Sequence, residues 1–190
     1  MRLALAVLLL VSGAAFAAPP AKPATAPVPK EVVSEDQLFA QLKKAESAEE
    51  AKPIEEKLDA MFRASGSASV DLLMSRVHAE QGAADAKTAK KLIDAVTQIA
   101  PGYAEGWHVR AAMEAAANDD TNALISLQRT VALNPKNFTA MVELGEMLED
   151  YGDKKTALGL YRRALDLDPQ MDEAKRKVRE LTVSVEGRDI

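Results

Sequence analysis

Between residues 70 and 171 apolar positions recur at helical spacing in short runs separated by small polar turns, and the runs themselves repeat. Pro101, Pro135 and Pro169 lie 34 residues apart, each two places after an apolar residue: Ile99, Leu133 and Leu167. Asp85, Asp119 and Asp153 keep that interval, as do Ala89, Ala123 and Ala157. Other columns hold their type. Leu73, Trp107 and Met141 are large, Val77, Ala111 and Gly145 are small or fairly small, and Ile93, Leu127 and Tyr161 are bulky. A fixed period of this length predicts stacked helix-turn-helix units, each burying its apolar face only against its neighbours. An aspartate just ahead of a helix accepts a hydrogen bond from an orphan backbone N–H, so the Asp column predicts the start of each second helix. Proline lacks an amide hydrogen and biases its predecessor away from helix, so it closes one unit and opens the next.

The unit with the clearest columns is residues 138–171, where Met141, Leu144, Gly145, Leu148, Gly152, Asp153, Ala157, Tyr161, Ala164, Leu167 and Pro169 all fall in place. On these residues the chain resembles the tetratricopeptide repeat (TPR) family; its layout over about residues 35–170, an SGS junction at 65–67 followed by DLLMSR and three repeat units, is similar to uncharacterised exported alphaproteobacterial members. Residues 104–137 keep Trp107, Ala111, Ala123, Leu133 and Pro135, but Glu114 stands at an aromatic column and Thr130 at an alanine one. Residues 70–103 depart further, with Glu80 and Val96 at unusual columns. The resemblance implies an all-α fold, a right-handed superhelical solenoid of antiparallel helix pairs.

Upstream of residue 70 the register is lost but the helical pattern continues. Ser34 with Gln37 three residues later fits a capping box, and Leu38, Phe39 and Leu42 follow at helical spacing. A second helix is expected from about Ala48 to Arg63, with Ile54, Leu58, Met61 and Phe62 on one side and Pro53 tolerated only near its first turn. The pair reads as a divergent N-terminal repeat or cap. Ser65, Gly66 and Ser67 then break the chain, and Ser69 is expected to cap the next helix. Residues 172–186 carry Ala174, Val178, Leu181 and Val185 among basic residues, the pattern of a terminal capping helix.

The chain begins with Met1 and Arg2, an apolar run from Leu3 to Val11, and small residues up to Ala17. That is the pattern of a secretory signal peptide over residues 1–17, with cleavage after Ala17; an uncleaved membrane anchor is the alternative. Residues 18–33 hold Pro19, Pro20, Pro23, Pro27 and Pro29 and are expected to form a disordered tether. The repeat domain then covers 34–190. This layout implies an exported protein, periplasmic in a Gram-negative source, with no membrane span once the leader is removed.

Composition narrows the function. Net charge is −5 for the whole chain, and loss of Arg2 with the leader makes it −6, against nucleic-acid binding through phosphates. Zero cysteine leaves no disulfide and no thiolate metal site. The sequence lacks GxSxG, HExxH, GxxxxGK[ST] and GxGxxG patterns, so no catalytic residue, cofactor or enzymatic activity is expected. His78 and His108, with Glu105 near the latter, do not form an i, i+4 pair of metal-ligand type, and no metal site is assigned. Arg76 with Glu80, and Arg110 with Glu114, read as exposed intrahelical ion pairs at equivalent places in two units.

Stacking of the family type implies a concave groove lined by first helices. The residues it places there are Asp71, Met74, His78 and Gln81; Glu105, His108 and Ala112; and Val142, Glu146, Glu149 and Asp150. Family members that clamp a C-terminal carboxylate use Lys, Asn and Arg on these faces, and Met74, His78, His108, Val142 and Glu146 do not supply that clamp. An acidic rim favours a partner segment with Lys or Arg beside apolar anchors. The expected function is an exported scaffold or adaptor binding a peptide segment or partner protein in this groove. A non-catalytic regulatory or accessory subunit of an envelope enzyme or transport complex is the alternative.

Overall fold

The computed structural model describes residues 33–187. The expected leader, and the tether apart from Val33, lie outside the described residues. Among those residues the chain forms helices only: α1 (Glu35–Leu42), α2 (Ala48–Phe62), α3 (Ala68–Gly82), α4 (Ala86–Ile99), α5 (Ala104–Ala116), α6 (Asp120–Leu133), α7 (Phe138–Asp150), α8 (Lys154–Leu167) and α9 (Asp172–Val185). Helices α3/α4, α5/α6 and α7/α8 are the three repeat units, stacked in order as an all-α solenoid, and α9 packs on α8.

The repeating columns do the work their chemistry predicts. Asp85, Asp119 and Asp153 each accept a hydrogen bond from a backbone amide three residues on, from Thr88, Asn122 and Thr156. A further column is visible only in the backbone: Ala84, Asn118 and Gly152, again 34 residues apart, turn with φ of 60°, 58° and 87°. Glycine adopts that left-handed conformation at little steric cost, asparagine at some, and alanine at most. Within the third unit Gly145 lets α8 approach closely, since a Cβ there would lie 2.8 Å from the Tyr161 ring.

Two details differ from the sequence reading. Helix α3 opens at Ala68 behind Ser67, whose side chain makes no capping bond, so Ser69 is not the cap. Ser65 instead holds the junction, its hydroxyl donating to Asp71 Oδ1 at 2.6 Å. Pro53 lies in the second turn of α2, beyond the first-turn position expected for it.

The apolar interior is divided. Val70, Met74, Val77, Ile93 and Val96 form one cluster within the first unit. A larger cluster joins α6, α7, α8 and α9, and it also contains Leu38, Phe39, Leu42, Ala51 and Leu58 from the N-terminal pair. Between the clusters runs a polar seam. Glu114, 6% exposed, receives hydrogen bonds from Arg110 Nε at 2.8 Å and Ser126 Oγ at 2.6 Å. Arg110 also lies over the Trp107 ring and 3.8 Å from Asp94. The expected exposed intrahelical pairs are corrected in part: Arg110–Glu114 is an intrahelical pair of α5, but its carboxylate is buried and its guanidinium reaches Asp94 of the first unit, while Arg76–Glu80 is absent from the ion pairs among the described residues.

The N-terminal pair is present, but it does not stack beneath the first unit as a repeat would. Its apolar residues are buried with those of the third unit and α9, far away in sequence. The reason is chemical. Each of the three proline turns offers the pair an anchor, Tyr103, Lys136 and Gln170, as the geometry below shows.

Candidate functional site

Three side chains anchor the α1–α2 hairpin. Lys136, in the turn between α6 and α7, reaches Asp36 at 2.8 Å and Glu35 at 3.0 Å in the first turn of α1, and its ammonium sits over the Phe39 ring. Gln170, in the turn between α8 and α9, donates from Nε2 to the Ala45 carbonyl at 2.7 Å. Tyr103, ahead of α5, donates its hydroxyl to the Arg63 carbonyl at 2.6 Å, and burial pushes that phenol up to about 12. Phe39 meets Phe138 edge to face. Ser34 and Gln37 form the expected capping box and start α1 cleanly.

Helix α2 then runs back across the first helices of the repeats. Burial raises the Glu55 carboxyl of α2, and Asp168, in the turn before α9, raises it further. Asp59, Phe62 and Arg63 face Glu105, His108, Asn137 and Thr139 across a small recess of about 100 Å³. Ala60, Arg63 and Ala64 border a wider recess of about 460 Å³ with Asp71, Met74, Ser75, His78, Tyr103 and Glu105. A helix thus lies in the half of the groove nearest the proline turns.

This divides the residues expected to line an open groove. Asp71, Met74, Glu105 and His108 border the two recesses beside α2. Val142 is 7% exposed and belongs to the apolar cluster that contains Leu38, Phe39, Leu42 and Leu58. Met74, 5% exposed, is chiefly a core residue of the first unit. Neither is an open contact: the hairpin and the local core enclose them. His78 and Gln81 are exposed and bonded to each other at 3.2 Å. Glu149 is held by Lys177 at 2.9 Å and by the Tyr161 hydroxyl at 3.1 Å, so α9 occupies it.

Ala112, Glu146 and Asp150 come together at a recess of about 300 Å³ between α5 and α7, shared with Ala111, Ala115, Leu127, Glu143 and Met147. Its floor is small and apolar, and its charged lining residues are all acidic. Burial raises the Glu146 carboxyl, and Glu173, Glu143 and Asp150 raise it further against the pull of Lys177. Glu143 and Met147 were not foreseen, because their columns face the neighbouring unit and not the axis of the groove.

His108 joins the two acidic regions. Its Nε2 lies 2.7 Å from Glu143 on α7 and its Nδ1 lies 3.3 Å from Glu105 on its own helix. Burial alone would lower its pKa, but the hydrogen bonds and charges of Glu105 and Glu143 outweigh it and hold the imidazolium up to about 10. His108 is thus a cationic rivet between units. Among the described residues no cluster of His, Asp and Glu has the arrangement of a metal site.

No family model matches the chain. A TPR repeat-containing protein of Rhizobium etli, an alphaproteobacterium, is 26% identical over 152 residues, covering 80% of this chain and 74% of the relative. Two solved structures place the backbone. The Sgt2 TPR domain from Aspergillus fumigatus superposes with a TM-score of 0.54 at 23% identity, over 63% of this chain and 81% of that one. The fold is that of a tetratricopeptide-repeat solenoid. The first TPR module of Spaghetti (RPAP3), solved bound to an HSP90 peptide, superposes with a TM-score of 0.55 at 18% identity, over 62% and 93% of the two chains. Tetratricopeptide repeats put first helices side by side, which is why His108 of one unit meets Glu143 of the next.

Proposed function

We propose that the protein is an exported interaction scaffold that binds a segment of a partner protein along the part of its groove left open by α2. The observation that carries this reading is the recess between α5 and α7, where an alanine floor lies under Glu143, Glu146 and Asp150. Small side chains let a bound chain approach the helices closely, and the carboxylates attract Lys or Arg whose aliphatic stems cover the floor. The partner segment is therefore basic with small apolar residues. The peptide held by the Spaghetti module supports groove binding as a use of this fold. Export rests on the leader pattern of residues 1–17. Among the described residues no helix is long and apolar enough to cross a membrane.

Peptide display on the full chain tests the reading. Enrichment of Lys- or Arg-containing segments, lost in a Glu146→Lys, Asp150→Lys variant that melts normally, is the expected result. Selection without charge preference, or binding indifferent to the variant, overturns it. Intact mass of the exported chain checks the leader, with Ala18 expected as first residue.

A further inference from the structure

Two features beside the α1–α2 hairpin exceed what packing requires. The first is Asp168, which is fully buried in the turn between α8 and α9. Its Oδ1 accepts the Gln170 backbone amide at 2.9 Å, as Asn134 does for Lys136 in the preceding turn. Its Oδ2 has no N–H or hydroxyl donor. A buried carboxylate oxygen left bare is costly. The neighbouring acid that acts on Asp168 is Glu55 of α2, and a carboxyl there can donate only when protonated. The second feature is the junction between α2 and α3. Gly66 turns there with φ +74° and nothing near the place a Cβ would take, beside the Ser65–Asp71 bond.

We propose that α1–α2 is an intramolecular gate over the tetratricopeptide groove, latched by a proton that Glu55 donates to Asp168 Oδ2 and released when that proton is lost. The gate covers Val142, Thr139 and His108 when shut, and opening about Gly66 lengthens the binding channel from the α5–α7 recess toward the proline turns. Its functional consequence rests on the groove reading above.

The charges around the latch all act in one direction. Burial, then Asp168, then Asp59 and Glu56 on the same helix raise the Glu55 carboxyl to about 7. From α9, the nearby Lys175 is engaged with Gln170 and Asp172. A carboxyl raised in the shut state and ordinary in the open state binds more protons when shut. The shut state is therefore favoured fully below about 4.5 and loses that advantage as pH rises to about 7. The same linkage bounds the change in the opening equilibrium at roughly 300-fold.

Amide hydrogen exchange on the full chain, read as protection factors between pH 5 and pH 8, tests the gate without any partner. Protection in α1 and α2 is expected to fall by up to about 70-fold relative to α7 and α8. Glu55→Gln, whose amide donates to Asp168 at every pH, is expected to abolish most of that fall. Asp168→Asn, which keeps the Gln170 bond and offers an amide to Glu55, is expected to do the same and guards against one variant misfolding. Protection that does not change with pH, or that changes equally in both variants, overturns the gate. Failure of the peptide display would sink the groove reading and leave these exchange results standing, so the two ideas fail separately.

Discussion

Phe39 and Phe138 meet edge to face with ring centroids 6.4 Å apart, although they belong to the first helix and the start of the third repeat. Both are almost fully buried, and this contact adds an apolar anchor to the three at the proline turns that place the N-terminal hairpin. Phe39→Ala is expected to cost about 3–5 kcal/mol in the hairpin. Because the first repeat keeps its own cluster, exchange should quicken in α1–α2 well before α3–α4. Uniform loss of protection in both would contradict this division.

Ala84 holds a left-handed conformation that its counterpart Gly152 adopts freely. Nothing in the site requires a Cβ, so Ala84→Gly is expected to stabilise the chain by about 1 kcal/mol, with Gly152→Ala costing a similar amount. Urea melts of the two variants check the opposite signs.

A methyl group at residue 145 would press on Tyr161, the largest fully buried side chain. Gly145→Ala is expected to lower stability by about 1–3 kcal/mol through overpacking. Gly145→Ala combined with Tyr161→Leu should recover part of that loss, which a double-mutant cycle measures.

The rivet at His108 makes stability fall toward alkaline pH. A histidine raised from 6.5 to about 10 contributes fully below 6.5, and that contribution disappears as pH rises through 10. His108→Gln is expected to be less stable than the parent by about 1–3 kcal/mol at pH 6, discounted because Glu143 is partly exposed. The gap should narrow to little by pH 10. Thermal melts across that range test the sign, and a gap that widens with pH would refute the assignment.

Glu114 lies where the repeat pattern expects an aromatic ring, and it trades apolar packing for a buried bridge. Glu114→Ala is expected to cost about 2–3 kcal/mol, since Arg110 and Ser126 both lose their acceptor. Replacing Glu114 and Arg110 together by leucine should cost less than Glu114→Ala alone, which chemical denaturation can resolve.

The repeats were legible because local physics writes them into the chain. Asp85, Asp119 and Asp153 must cap, the prolines must end helices, and Gly145 must face a bulky side chain, whatever lies elsewhere. The site was legible only in part. Ala112, Glu146 and Asp150 follow from the period and reach the open recess, while Val142 follows from the same period and is enclosed. What hides it is a contact from far away in sequence. The sequence of α1–α2 carries an apolar stripe but no mark of the surface that stripe will choose. Glu55 and Asp168 were invisible for the same reason, since each reads alone as an ordinary surface acid.

Helix α2 is tied at one end to the turn before α9 and at the other to Tyr103 before α5. Solenoids flex as springs, through small changes of angle between successive units. A helix fastened across the coils acts as a strut, fixing the curvature of the last two units while the polar seam at Glu114 lets the first unit tilt. The molecule is then stiff at one end and compliant at the other, and a partner that displaces the strut would feel its compliance change along the whole length.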